Sequence, residues 1–519
     1  MSRRDVLRQG ALGGAALTMP GVLGACGGGV RQAVRSAMPA GPAPDLFAIF
    51  GVDAALARDA LSELTSRGAD RAELYFQSSR STSVLFQDGI ISQAHASVDL
   101  GVGLRCVVGE QTGYAYTEEL TRESLRAAAR TAAAIASGSA VVPPQEVRHQ
   151  ALPHDRYAIE VPWREVGVDR KLPIIQRAAE LARAADPAIV KVDVSWADGE
   201  SRVLIADMEG RVVFDERPMT RLSVTVTAER GGERQTNRAN IAARRGLDFY
   251  TEERLEGLVR QAVDRTMILF EARRPPAGEM PVVLASGASG ILLHEAIGHG
   301  MEADYNRKGI SIYAEMLNRQ VAEPFVTIVD DGTLEHERGA LNVDDEGRPA
   351  GRTVLVENGR LVSYMHDAIS ARHYGVEQTG SGRRQSFRHV PLPRMRCTYM
   401  EGGPHTRDEI IASVQRGILA ETFTNGQVQI GAGDYTFYIK NGWLIEDGRL
   451  TAPIKDVNIV GSGPETLRRI SMVADDAQLD TGGWVCGKGG QSVPVSLGIP
   501  TVLVSQLTVG GEDGGDRAA

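Results

Sequence analysis

Two pairs of adjacent prolines, Pro143–Pro144 in "VVPPQEVRHQALPHD" and Pro275–Pro276 in "RRPPAGEM", restrict this chain more than any other feature. Each proline fixes its own φ, lacks a backbone donor and pushes its predecessor out of the helical region. Neither pair therefore fits inside a helix or a central strand. A length of 519 residues also exceeds what one hydrophobic core of ordinary size holds. The breaks predict an N-terminal α+β domain over 49–142, a middle α+β region over 143–275 and a C-terminal domain over 276–519.

Within those limits the periodicity is mixed. Ala and Leu recur at helical spacing over 51–67, up to Gly68. "TRESLRAAARTAAAIA" reads as a helix with Thr121 as N-cap and Glu123 in the first turn, where its charge suits the helix dipole. Between these two helices, alternating residues around "QDG" and "GEQTG" predict strands joined by tight turns. The middle region has a helix over "DRKLPIIQRAAELARAAD", several strands with Gly turns, and a helix over roughly 250–271. It is either a second copy of the first arrangement or part of a sheet shared with it. From 276 onward the chain is Gly-rich and strand-rich, with "ENGRLVSY" and "IEDGRLTAP" as hairpin signatures and one short helix near 407–417 besides the histidine motif. The fold class is α+β: a mixed α/β N-terminal region, then a largely antiparallel β C-terminal domain, closed or strongly curved, carrying an irregular helix.

"MSRRDVLRQGALGGAALTMPGVLGAC" sets Arg3 and Arg4 before a modestly apolar Gly/Ala run, the layout of a twin-arginine export signal. "LGAC" resembles a lipoprotein processing box with Cys26 as the lipid acceptor. Residues 1–26 are expected to be the export signal and 27–48 a flexible tether, giving a periplasmic or cell-surface protein held to a membrane through a lipidated Cys26. The remaining cysteines make no disulfide framework; Cys106 and Cys397 read as buried free thiols more readily than as a bridge. A formal charge of −9, with arginines scattered and not striped, argues against nucleic acid as a partner.

The chemistry concentrates in "HEAIGHGMEAD", residues 294–304. A glutamate directly after a histidine is what zinc hydrolases use as general base, because a carboxylate beside the metal can take a proton from the attacking water. On a regular helix, however, residues five apart point about 140° from each other. His294 and His299 can share a metal only if a π-type bulge absorbs the extra residue, or if the helix ends or kinks near Gly298 and Gly300. A third ligand must come from elsewhere. "GGWVCGKGGQSVP" puts Cys486 in a tight Gly-rich loop, and thiolate is a strong zinc ligand. Lys488 beside it would favour the deprotonated thiol.

"HEAIGHGMEAD", "DDGT" (330–333), "DDEG" (344–347), "TGSGRRQSF" (379–387), "PLPRMRCTYM" (391–400) and "CGKGGQSVPV" (486–495) occur in the order found in the TldD/PmbA family. The chain resembles the metal-bearing TldD type over nearly its whole mature length. The resemblance implies one zinc held by His294, His299 and Cys486, with Glu295 as base. It implies cleavage of short or unfolded peptides in a cavity between two subunits, as a homodimer or a heterodimer with a PmbA-like chain. The sequence departs from the family in its export signal and in Cys397, within "RMRCT", where the family pattern has "RMTNT".

Other residues are candidates with ordinary structural alternatives. Glu302 and Asp304 are placed to accept from a ligand histidine. Arg383 and Arg384 could hold a peptide carboxylate or polarise the scissile carbonyl, or form salt bridges. His366, His373 and His389 could donate to a developing oxyanion or be structural. The acidic runs 330–331 and 344–346 lack calcium-loop spacing and read as turns. Two further functions stay open: a non-catalytic peptide-binding or maturation subunit, and a structural zinc site completed by Glu302 or Cys397.

Overall fold

The computed structural model describes residues 45–136, 138, 141–429 and 433–511. The export signal, Cys26 and the tether up to residue 44 lie outside the described residues. The last four residues of the expected tether are part of the folded body. Leu46–Phe50 form a 3-10 turn that buries Phe47 and Phe50, with the Asp45 carboxylate accepting from the Phe47 N–H.

The helices start where short polar side chains can cap them. Ala54–Leu64 follows Asp53, which accepts from the Leu56 N–H at 2.7 Å, and Arg122–Ile135 follows Thr121, which accepts from the Ser124 N–H at 3.2 Å. Between them Arg71–Gln87 and Ile90–Val108 form a long hairpin around Asp88 and Gly89, both at positive φ, as a two-residue hairpin turn requires.

The middle region shares a sheet with the first. Ile189–Asp207 pairs antiparallel with Arg71–Gln87 from Glu73↔Asp207 to Gln87↔Asp193. Arg211–Arg230 and Glu233–Ala243 continue the sheet to seven strands, with Arg148–His149 at its margin. Strands of 17–20 residues extend roughly 60 Å at about 3.3 Å per residue. That length seats a separate helix pair, each with its own hydrophobic cluster, at either end. Ala54–Leu64 and Arg122–Ile135 cover one end; Val168–Ala185 and Glu252–Met267 cover the other.

In the C-terminal domain Gly278–Leu284, Val502–Gly510, Val457–Ser462, Asp434–Glu446 and Arg416–Gln429 each pair with the next, and the last pairs back with the first. Five strands thereby close on themselves, which is the curvature expected, with one parallel contact in the ring. A six-stranded sheet stands beside the ring, running from Arg360–Leu361 through Ile328–Asp331 and Cys397–Met400 to Gln478–Leu479. The histidine segment packs between ring and sheet in the largest hydrophobic cluster. The helix expected over 407–417 stops at Ala412, started by a Thr406/Glu409 capping box. Short helices Ala368–Tyr374 and Gly463–Arg468, which the Gly-rich pattern hid, also occur.

A buried ionic web fastens the N-terminal sheet to this domain. Arg105 reaches Glu73 at 2.9 Å and Glu346 at 2.5 Å, Arg384 reaches Glu73 at 2.6 Å, and Arg217 joins Asp345 and Asp215. Asp345 and Glu346 in the run 344–346 are thus cross-links as well as parts of a turn. Asp330–Asp331 corrects the expectation of a turn: it ends a strand, and Asp330 pairs with Arg396 at 2.7 Å.

Candidate metal centre

The helix entering the motif is α-helical only over Gly290–Leu293. From His294 to Gly298 it is π-helical, and the His299 N–H donates to the His294 carbonyl five residues back. A single 3-10 turn, His299–Met301, follows. Of the two remedies open to the sequence, the backbone takes the π-turn, which absorbs the fifth residue and brings both imidazoles to one face. The glycines serve packing more than conformational freedom: Gly298 has an ordinary helical φ of −61°. A Cβ there would overlap the Met395 sulfur, and one at Gly300 would stand 2.6 Å from the Tyr313 ring.

Cys486 lies in a strand, correcting its placement in a loop. Val485–Lys488 pairs with Gln491–Pro494 around Gly489 and Gly490, at φ 57° and 73°, a turn that favours glycine at both positions. The hairpin brings the Cys486 Sγ to 3.5 Å from His299 Nε2. Donor atoms of His294, His299 and Cys486 all lie within 4.8 Å of one another. For a tetrahedral ion with bonds of about 2.0–2.1 Å to nitrogen and 2.3 Å to sulfur, the N···S separation is about 3.6 Å. The observed spacing fits.

The three residues are buried, with His294 only 1% exposed, and neither of its ring nitrogens has a hydrogen-bond partner among the described residues. Leaving such a group unsatisfied costs about 1–3 kcal/mol, which coordination of the nitrogen facing the cluster would offset. Burial opposes ionisation of Cys486, yet the His294 and His299 imidazoles hold its thiol well below the usual range. The residues therefore fit a thiophilic, imidazole-binding cation, and a metal cofactor suits them.

His299 is oriented from behind. Its Nδ1 meets Glu302 Oε2 at 2.9 Å, leaving Nε2 to the cluster. Lys488 Nζ bonds Glu302 at 3.0 Å, Asp304 at 2.6 Å and the Pro393 carbonyl at 3.0 Å. Lys488 thus corrects its assignment: its charge serves the carboxylates behind His299, and the histidines lower the thiol. Burial pushes the Glu302 carboxyl up, but Lys488 and His299 outweigh it and hold it at about 2. Glu295 has a side chain 24% exposed, and its Oε2 lies 3.8 Å from His299 Nε2, where a carboxylate can face an attacking water.

Glu302 does not complete a four-ligand site, being turned to the far nitrogen of His299, and Cys397 lies on another strand outside the donor group. Among the described residues that group has three members. Cys106, Cys397 and Cys486 are all free and buried.

Of the readings open for Arg383 and Arg384, the structure shows internal ties, with the salt bridge realised by Arg384 and Glu73. Arg383 donates to the Met395 and Pro494 carbonyls, and Arg384 to Glu73 and the Asp345 carbonyl, both arginines being buried. His366 is pushed to about 4 by burial, His373 meets Glu110 at 2.8 Å, and His389 meets Ser386 at 3.0 Å; none belongs to the donor group. Sequence reasoning missed Arg394, fully buried, whose Nη2 donates to the Cys486 carbonyl at 2.6 Å and anchors the ligand strand. Its only signal was its place in the block "PLPRMRCTYM".

Three family models match in order: PmbA/TldA metallopeptidase domain 1 over residues 72–136, the central domain over 161–270 and the C-terminal domain over 277–511. The chain is 41% identical over 457 residues to a metalloprotease TldD homolog of Haemophilus influenzae, covering 86% of this chain and 94% of that one. It is 29% identical over 344 residues to a zinc metalloprotease TldD homolog of Saccharolobus solfataricus, covering 66% and 76%. TldE from Thermococcus kodakarensis shares the fold with a TM-score of 0.68 at 20% identity, over 88% of this chain and 100% of that one.

Proposed function

Because this chain belongs to the PmbA/TldD metallopeptidase family, we propose that it is a zinc-dependent peptidase hydrolysing short or unfolded, extended peptides. His294, His299 and Cys486 would hold one zinc ion, and Glu295 would be the general base. The observation that carries this reading is the convergence of three buried donors beside a more exposed glutamate. When bound, zinc supplies a Lewis acid that polarises the scissile carbonyl. Glu295 takes a proton from the attacking water, holds it, and returns it to the leaving amine. Glu302 fixes the tautomer of His299, and Lys488 keeps Glu302 ionised.

An extended substrate is supported by the ligand hairpin. Among the described residues Val485–Lys488 pairs only with Gln491–Pro494, so its other edge can accept an added strand alongside Cys486. Retention of the three donors and Glu295 favours a catalytic role over a non-catalytic subunit, and the three-membered donor group favours it over a structural zinc site. We assign the protein to a homodimer or a heterodimer with a PmbA-like subunit. Its first 26 residues direct twin-arginine export and lipidation at Cys26. Digestion of an unfolded peptide mixture by zinc-loaded protein tests the reading: Glu295→Gln is expected to keep zinc and lose cleavage. Full cleavage by that variant overturns it.

A further inference from the structure

Resting on the peptidase reading, we propose that a cationic cavity at the junction of the middle region and the C-terminal domain binds the carboxylate of a peptide substrate. The cavity, about 160 Å³, is lined by Arg221, Arg238, Arg265 and Lys440. Among the described residues, none of these four side chains has an ion-pair partner. The wall's one carboxylate, Asp480, accepts from the Gly482 N–H and the Trp484 indole. Four cations against one carboxylate leave an excess of positive charge. Burial pulls the Arg265 guanidinium below the usual arginine range, and Asp480 and Glu421 only partly oppose this.

Elsewhere in this protein withdrawn arginines meet either backbone carbonyls, as Arg244, Arg383 and Arg394 do, or carboxylates. Arg105, Arg384, Arg396 and Arg217 each meet a carboxylate within 3 Å. The cavity gathers four cations that have no carboxylate partner among the described residues around one space, so the structure presents guanidinium forks and an ammonium to an anion that arrives from outside.

The position of the cavity indicates which anion. Ala288 and Trp484 lie on its wall, the first on the turn leading into His294 and the second two residues before Cys486. Two extended residues span about 6.6 Å, so a group seated against Trp484 is within a short peptide step of the ligand strand. A cavity this size is smaller than the roughly 300–1,000 Å³ of a pocket that encloses a whole ligand. It takes one terminal group. A peptide offers carboxylate from two sources, its C-terminus and acidic side chains.

Calorimetric titration of the full-length, zinc-loaded Glu295→Gln protein tests this with three hexapeptides that share their first five residues. They are the free C-terminal acid, its C-terminal amide, and the amide with Glu as last residue. The acid is expected to bind at least about ten-fold more tightly than the plain amide. That advantage should vanish in an added Arg265→Gln/Lys440→Gln pair that leaves affinity for the amide unchanged. Recovery of tight binding by the Glu-ending amide shows that side chains also supply the carboxylate; its failure shows the terminus alone does, and either supports the cavity. Equal binding of acid and plain amide, or an advantage that survives the paired substitution, overturns it. Should the paired variant not fold, raising the ionic strength must erode the advantage in the unsubstituted cavity, since charge attraction is screened; persistence at high salt overturns it equally. Cleavage of the same peptides by protein retaining Glu295 is scored separately. Absent cleavage with the acid preference intact counts against the peptidase reading alone.

Discussion

Two buried polar clusters in this protein are built on opposite rules. In the web joining the long sheet to the C-terminal domain, each charge found has a partner: Glu73 with Arg105 and Arg384, Glu346 with Arg105, Asp345 with Arg217. At the metal centre His294 has no partner for either nitrogen among the described residues, while the group behind its neighbour, from His299 through Glu302 to Lys488, is tightly paired. Matched burial fastens domains together. Unmatched burial, held in place by matched groups one layer out, marks where something binds, because burying an unsatisfied polar group costs stability unless a ligand restores it.

Substitutions on the two sides should therefore part company. The largest effect is expected from Glu295→Gln, with kcat down about 10²–10⁴-fold and zinc content unchanged, checked by turnover and metal analysis of one preparation. On the matched side Arg384→Met removes one of the cations on Glu73, which keeps Arg105 and Arg71, and should remove about 1–3 kcal/mol of stability. Urea unfolding reads that loss, while the zinc stoichiometry of the folded fraction stays the same. Loss of zinc without loss of stability would erase the contrast between the two clusters.

Glu302→Gln sharpens the comparison at the boundary. It should weaken zinc affinity about 10–100-fold, measured by competition with a chromophoric chelator. Its pH dependence has a defined sign. Glu302 sits at about 2 in the fold against an ordinary 4.5, so its contribution is fully present above about pH 4.5 and is lost as pH falls toward 2. The acid limb of a stability-versus-pH curve should flatten in Glu302→Gln. No larger effect is expected of Gly298→Ala, which should cost about 1–3 kcal/mol by overpacking against Met395. A companion Met395→Ala should recover part of it, as followed by thermal unfolding.

The sequence revealed local geometry better than long-range pairing. A five-residue histidine spacing has few helical solutions, so the irregular turn could be read before its form was seen, and Thr121 and the "QDG" turn were legible for the same local reason. The glycines in the motif were noticed, but their role was not, because the Met395 and Tyr313 atoms they make room for come from other segments. Lys488 was assigned to the thiol beside it in sequence, whereas its partners Glu302 and Asp304 lie more than 180 residues away. Arg383 and Arg384 looked available only because nothing local declares that a residue 311 positions off, Glu73, will claim one of them. The shared sheet stayed ambiguous on the same ground, since Glu73↔Asp207 joins strands across the proline-marked linker.

Zinc K-edge X-ray absorption on the full-length protein, beside its Cys486→Ser variant, tests the central claim most directly. One sulfur at about 2.3 Å with nitrogen or oxygen donors at about 2.0–2.1 Å is the expected shell, with the sulfur lost and zinc weakened in the variant. A shell of two sulfurs, or one with no sulfur in the unsubstituted protein, contradicts a centre built from His294, His299 and Cys486.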